Sequence, residues 1–586
     1  MILDKVNSPK DLKTLSIEEM QTLANEMREL IIKKVNVTSG HLGPNLGIAE
    51  ATIAMHYVFN SPEDKFVFDV SHQCYPHKMI TGRKEGFLNP DKYFEITGYT
   101  APEETPHDLF KVGHTSTSVS LATGVAKARD LLNQKYNVVA LIGDGSLTGG
   151  EALEGLNNAS VLGSNIIIVV NDNEMSIAEN HGGIYSNLRE LRETNGQCQN
   201  NFFKTMGFDY FYESNGNDVQ SMINIFNKVK DTNRPTIVHI HTIKGKGYDK
   251  AVADKESYHW VNPGYLEADK NNAVTTDNTE TYTTLTRDFL LEKAKQDSSV
   301  VVVNPATPGV FGFDKTYRNE LGKQYVDVGI AEEHAVAFCS AIAKTGAKPF
   351  LNIMSSFVQR AYDQISQDAC LNNSPMTMLV HWGSISGADA THLCVFDIPF
   401  LSNIPNMVYL APTNKEEYLA MLEYAYKQNE HTVAIRVPLT QLVSTGIKDG
   451  TDYSILNKFK IEQNGNTVAI VGVGNMLQLA KETAQELKTQ LGCNATVINP
   501  RFLTGIDKDL LDNLKQNHTV VITLEDGVLN GGFGEKIASY YGNSDMKVLN
   551  YGAEKLFTDR VPVDKLYKQF RLTKEQICED VKNILK

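Results

Sequence analysis

Apolar positions along the chain fall into short continuous runs separated by stretches of helical periodicity. "NVVALIGDG" and "NIIIVVNDN" are apolar runs of strand length. Between them Ala152, Leu153, Leu156 and Ala159 recur at helical spacing, which predicts a helix around residues 150–161. "PTIVHIHTIKG" predicts a further strand. A second group of runs follows in "SSVVVVNPA", "QYVDVGIAEEHAVAFCSAIAKTG", "KPFLNIMSSF", "MTMLVHW", "MVYLAP" and "HTVAIRVP". A third consists of "NTVAIVGVGNM", "ATVINPRF" and "TVVITLEDG". Unbroken apolar strands alternating with amphipathic helices predict an α/β fold of three domains, each with a mainly parallel sheet flanked by helices. The polar stretch "NPGYLEADKNNAVTTDNTETYTT" reads as an interdomain linker. Gly472 and Gly474 fit a tight strand-to-helix turn, since the full dinucleotide fingerprint is missing.

A length of 586 residues agrees with several domains, and 41% hydrophobic with 22% charged residues describes a globular chain. A formal charge of −14 argues against a general nucleic-acid binder. The opening "MILDKVNSPKDLKTL" lacks the apolar core of a signal peptide, and no run suggests a membrane span. Seven cysteines without a C-x-x-C pattern point to reduced thiols and a cytoplasmic protein rather than a disulfide framework or a zinc site.

The chemistry concentrates where two of the runs end. One stops at Gly143-Asp144-Gly145 and the next at Asn171-Asp172-Asn173, with Asp144 and Asn173 29 residues apart, the length of a βαβ unit. Carboxyl ends of neighbouring parallel strands line one crevice. Asp144 and Asn173 could therefore face one Mg²⁺, which takes oxygen ligands and keeps phosphate oxygens in its shell. Gly143 and Gly145 would let the backbone come close to a phosphate. Alone, G-D-G is more often only a turn; the spacing and N-D-N together favour the metal clamp.

The string "GDGSLTGGEALEGLNNAS…NDNEMSI" resembles the 1-deoxy-D-xylulose-5-phosphate synthase family of transketolase-like enzymes. "SGHLGPNLGIAE", "FDVSHQCYPHKMITGR", "KVGHTSTS", "KGKGY", "DVGIAEEHAV", "SFVQRAYDQ" and "THLCVFD" extend the resemblance in order over nearly the whole chain. It implies a diphosphate-binding domain over 1–265, a linker over 266–283, a pyrimidine-binding domain over 284–445 and a C-terminal domain over 446–586. The implied cofactors are thiamine diphosphate and Mg²⁺, the metal held by Asp144, Asn173 and the carbonyl of Met175. His72, Gly113-His114-Thr115, Gly145-Ser146, Asn173, Lys244, Tyr248 and Phe357 would surround the cofactor. Glu332, rather than its neighbour Glu333, would be the carboxyl hydrogen-bonded to the aminopyrimidine.

His41 and His72 are expected near the reacting carbon, with His259 and His392 contacting donor or acceptor oxygens. Arg360, Arg436 and Asp389 are the implied substrate contacts, arginine suiting a sugar phosphate through its paired donors. The implied partners are pyruvate and an aldose phosphate, and the implied assembly is a homodimer; the implied reaction decarboxylates pyruvate and joins the two-carbon unit to D-glyceraldehyde 3-phosphate.

Three departures stand on the acceptor side. Met354 occupies the place of a family tyrosine, Trp382 that of an arginine, and the loop "GADATH" is one residue short, which is expected to displace Asp389 or His392. They keep open a paralogue with another acceptor or a ketose donor. A non-catalytic cofactor-binding paralogue is the third reading, and the retention of Asp144, Asn173 and Glu332 speaks against it.

Overall fold

The computed structural model describes residues 1–270 and 279–585. The chain separates into two compact units, Met1–Asp277 with Val328–Ala331, and Asn278–Asp327 with Glu332–Lys586. The stretch read as a linker begins with a short helix, Tyr265–Lys270; residues 271–278 lie outside the described residues, and the next helix starts at Tyr282.

The first unit is built on a five-stranded sheet in the order Lys65–Phe68, Val138–Gly143, Ile167–Asp172, Thr236–His241, Asp209–Glu213, with every pairing parallel. Its central strands are apolar on both faces. Val139, Leu141, Val169 and Val238 join one core, and Val138, Ala140, Ile168 and Ile237 join the other. A period-2 strand must divide its side chains in this way, and helices cover both faces. Truncating a residue such as the fully buried Ile168 to alanine costs about 2–5 kcal/mol. The intervening helix is Gly150–Ala159; Ala152, Leu156 and Ala159 are buried, while Leu153 is 39% exposed. A two-residue antiparallel ribbon pairs His41 with Trp260 and Gly40 with Val261.

The second unit holds two sheets. The first is all parallel, in the order Met407–Leu410, Thr432–Val437, Thr377–His381, Lys348–Met354, Val300–Asn304, Tyr325–Asp327. The second runs Lys460–Gln463, Thr496–Asn499, Thr467–Gly472, His518–Val528, Lys547–Ala553, parallel except for its edge strand Lys460–Gln463. Gly472 and Gly474 do form a strand-to-helix turn: a Cβ on Gly472 would lie 2.7 Å from the Cα of Leu477, and Gly474 has a φ of +50°. No helix among the described residues is long and apolar enough to cross a membrane.

Candidate active site

In the first unit the residues of interest stand at the carboxyl ends of parallel strands. Asp69 and His72 follow Lys65–Phe68, Asp144 follows Val138–Gly143, Asn173 follows Ile167–Asp172, and Lys244 follows Thr236–His241. This is the crevice in which open α/β sheets take ligands. Asp69 accepts hydrogen bonds from the Ser116 and Ser118 amides at 2.8 and 3.0 Å, fixing the turn after Gly113-His114-Thr115 where the helix Ser118–Leu131 begins.

Asp144 is 1% exposed and opens a single turn of 3-10 helix, Asp144–Thr148. Its Oδ2 accepts the Met175 amide at 3.1 Å and the Asn180 side-chain amide at 2.7 Å. Tyr185 donates its hydroxyl to the carbonyls of Asp144 and Gly145 at 3.1 and 3.2 Å. Asn173 is buried, and its Oδ1 has no hydrogen-bond partner among the described residues. The Asn173 carbonyl accepts from Lys255 Nζ at 3.0 Å, and Lys244, itself buried, donates to the Ser176 carbonyl at 2.6 Å. The Asp144 carboxyl and the orphaned Asn173 amide oxygen, at the carboxyl ends of paired strands, are oxygen donors of the kind that suits Mg²⁺, and Met175 meets Asp144 through its N–H. Gly145 owes its identity to the protein's own packing: a Cβ there would sit 2.8 Å from Ser176 Oγ. Ser146, also buried, contributes its carbonyl to Ser116 Oγ at 2.9 Å.

Burial and the nearby charge of Asp172 raise the Asp144 carboxyl to about 7. Burial would raise Asp172 as well, but a hydrogen bond from His239 at 2.9 Å and the Arg192 guanidinium at 2.5 Å hold it at about 2. Burial lowers Lys244 to about 7 against the attraction of Asp144. A carboxyl whose folded-state pKa is raised favours folding while protonated, and this contribution is lost as pH rises through about 7. A cation held by Asp144 would replace the proton. Mg²⁺ with thiamine diphosphate is therefore expected to raise the unfolding temperature more at pH 8 than at pH 6, by calorimetry at both pH values. An equal or smaller rise at pH 8 would refute this.

Three histidines form one cluster. The His41 ring stands 5.0 Å from His72 and 5.4 Å from His259, and His72 lies 5.6 Å from His259. His259 thus packs directly against His41 and His72. Fully buried Asn45 ties the cluster together by donating to the carbonyls of His41 and His72 at 2.8 and 2.7 Å. Burial, then the Lys244 charge, takes His72 to about 3; His259 falls well below its ordinary value for the same reasons. Neutral imidazoles whose buried Nδ1 atoms, on His72 and His259, have no partner among the described residues remain able to exchange hydrogen bonds with a ligand. The Trp260 ring lies nearly perpendicular to that of His41, the two centroids 4.7 Å apart, and the buried Tyr248 hydroxyl lacks a partner among the described residues.

Val328–Ala331 belong to the first unit, where Ile330 donates its amide to Thr148 Oγ1 at 3.1 Å. Glu332 follows directly in sequence and begins the helix Glu332–Lys344 of the second unit. It is 4% exposed; burial raises its carboxyl above the ordinary range, partly offset by Arg360, 3.6 Å from Oε2. Oε2 has no hydrogen bond among the described residues. Phe357 packs on the core of the six-stranded sheet, its ring 5.8 Å from His392. The short loop keeps Asp389 and His392 together, His392 Nδ1 lying 3.5 Å from Asp389 Oδ1, with Thr391 bonded to both. Burial pushes Asp389 up, but His392 and Thr391 hold it at about 2.

Arg436 departs from expectation. It is 3% exposed, and its Nε and Nη2 donate to both carboxylate oxygens of Asp397 at 2.6 and 3.2 Å, while Nη1 pairs with Asp526. A guanidinium enclosed by two carboxylates is placed for internal pairing rather than for a substrate. Met354 and Trp382 stand at the ends of adjacent strands; Met354 is buried and Trp382 packs on the same core as Phe357. Asn45, Asn180, Tyr185 and Lys255 were not singled out by the sequence. Asn45 lies inside "SGHLGPNLGIAE" and Asn180 just beyond "NDNEMSI"; Tyr185 and Lys255 carry no local cue.

Residues 279–443 match the family model of the transketolase pyrimidine-binding domain and residues 457–577 that of the transketolase C-terminal domain, which defines the class as transketolase-like. Residues 3–199 and 194–242 match the model described as 1-deoxy-D-xylulose-5-phosphate synthase. Proteins of that name from Halothermothrix orenii and Clostridium beijerinckii are each 36% identical over 99% of this chain, covering 96% and 99% of their own lengths. The one from Dictyoglomus thermophilum is 37% identical over 100% of this chain and 99% of its own. The chain belongs to the 1-deoxy-D-xylulose-5-phosphate synthase family, thiamine diphosphate-dependent transferases that form carbon–carbon bonds.

Proposed function

We propose that this chain decarboxylates pyruvate and joins the two-carbon unit to D-glyceraldehyde 3-phosphate, as a cytoplasmic homodimer that uses Mg²⁺ as well as thiamine diphosphate. The observation that carries the site assignment is the buried Asn173 Oδ1, without a hydrogen-bond partner among the described residues, at the carboxyl end of the strand paired with the one that Asp144 follows. Bound thiamine diphosphate supplies the carbon nucleophile and electron sink for decarboxylation and ligation.

Asp144, Asn173 and the Met175 carbonyl would hold the cation, and Asn180 and Tyr185 keep the Asp144 turn in place. Glu332 presents a buried carboxyl, raised above its ordinary pKa by burial, with Oε2 lacking a hydrogen bond among the described residues, and it would hydrogen-bond the aminopyrimidine. Burial holds His72 and His259 well below the ordinary imidazole pKa, and with His41 beside them they would exchange hydrogen bonds with substrate oxygens. Arg360, beside Glu332, and His392, beside Asp389, are the polar groups proposed for the substrate in the second unit. The domain bounds 1–265, 284–445 and 446–586 belong to the same proposal.

The test is product identification. Pyruvate and D-glyceraldehyde 3-phosphate, with enzyme, Mg²⁺ and thiamine diphosphate, are expected to yield a five-carbon 1-deoxyketose phosphate by mass spectrometry. A second reading, ligation to a different aldehyde, is favoured by the internal pairing of Arg436 and by Met354 and Trp382. Turnover with an unphosphorylated aldehyde and none with the phosphate would select it.

A further inference from the structure

The segment Gly383–Phe396 joins the strand Thr377–His381 of the pyrimidine domain to the helix Asp397–Ser402, and it carries Asp389 and His392. Its apolar residues do not enter the core of the domain they come from. Ile385, Leu393 and Val395, each 5–6% exposed, pack in the core of the C-terminal sheet with Leu524, Tyr551 and Ala553.

Backbone bonds follow the same route. The Arg560 amide donates to the Ala388 carbonyl at 2.9 Å, and the Val528 amide to the Val395 carbonyl at 2.8 Å. The Ala390 amide donates to Asp559 Oδ1 at 3.0 Å. A Cβ on Gly387 would come within 3.2 Å of the Val561 carbonyl, so the segment lies directly on residues 559–561. At its root, Arg436 bridges Asp397 of the pyrimidine domain and Asp526 of the C-terminal domain. A Cβ on Gly383 would lie 2.6 Å from Arg436 Nε, which presses the root onto that pair.

We propose that the C-terminal domain sets the position of the substrate-side loop, and that Asp559, Asp526 and Arg436 are positioning residues acting through Asp389 and His392. The proposal rests on the substrate-side role assigned above to Asp389 and His392. The loop's own bonds transmit the placement. Asp389 accepts the Thr391 amide at 2.9 Å, Thr391 Oγ1 lies 2.8 Å from His392 Nδ1, and Ala388 and Ala390, the neighbours of Asp389, are the residues tied to Arg560 and Asp559. His392 therefore stands where residues 559–561 put it. The C-terminal domain, remote in sequence from every cofactor residue, becomes part of the acceptor site's framework.

Asp559 is the residue to change, because its side chain is 27% exposed and its removal opens no core. Asp559→Ala deletes the acceptor for the Ala390 amide; Asp559→Asn keeps an oxygen in the same place. In the full-length holoenzyme, Asp559→Ala is expected to raise KM for the aldehyde acceptor about tenfold, the scale of one lost charge-assisted bond. The slow release of CO₂ from pyruvate without acceptor should change less than twofold, and Asp559→Asn should recover most of the KM. An unchanged KM in Asp559→Ala, or equal losses in both variants and in both reactions, would overturn the proposal. Hydrogen exchange separates this outcome from a failure of the functional reading. If the wild type does not turn over pyruvate, the function is wrong, yet residues 384–396 should still exchange faster in Asp559→Ala than in the wild type. No change there would overturn the positioning role by itself.

Discussion

Replacing Glu332 with glutamine is expected to lower turnover about 10²–10⁴-fold, the range lost when a positioned proton-transfer group is removed. Burial holds the Glu332 carboxyl above its ordinary pKa, and one oxygen has no hydrogen bond among the described residues. The amide has nearly the same shape but no titratable proton, so packing is preserved while proton exchange is lost. Cofactor affinity should therefore change far less than turnover, which separates this effect from misfolding. The check is steady-state turnover together with a thiamine diphosphate titration followed by intrinsic fluorescence. A loss smaller than tenfold would show that Glu332 is a helix-start carboxylate favoured by the macrodipole and nothing more.

Asp144→Asn is the second large effect. The carboxylate is the one formal charge among the proposed cation ligands, so the substitution is expected to weaken Mg²⁺-dependent cofactor binding by 100-fold or more, on the order of 3 kcal/mol. The cofactor-free protein should behave in the opposite way. Asp144 is buried near the ionised Asp172, and a neutral amide removes that repulsion. The variant is expected to melt at the same temperature as the wild type or slightly higher without ligand, and to show little of the wild type's upward shift when Mg²⁺ and thiamine diphosphate are added. A full ligand-induced shift in Asp144→Asn would mean that the cation is held elsewhere.

The fold was legible because buried parallel strands must be apolar on both faces. "VVALIG" and "IIVVND" could hardly be anything else, and their ends placed Asp144 and Asn173 at one sheet edge. The remaining parts of the site depend on pairings that no local pattern carries. Asn180 reaches Asp144 across 36 residues, and Arg436 meets Asp526 across 90. The arginine looked like a substrate contact because its own segment gives no sign of the carboxylates that enclose it. His259 joined His41 and His72 through the two-residue ribbon Gly40–His41 with Trp260–Val261, too short to leave a periodic signal. The loop carrying His392 has an apolar pattern whose partner core belongs to another domain.

The most direct test of the account is CO₂ release from pyruvate, with Mg²⁺ and thiamine diphosphate, in the presence and absence of D-glyceraldehyde 3-phosphate. The account predicts slow release from pyruvate alone and a clear stimulation by the aldehyde phosphate, both abolished by omitting the cofactor. Cofactor binding without any stimulated release would contradict it.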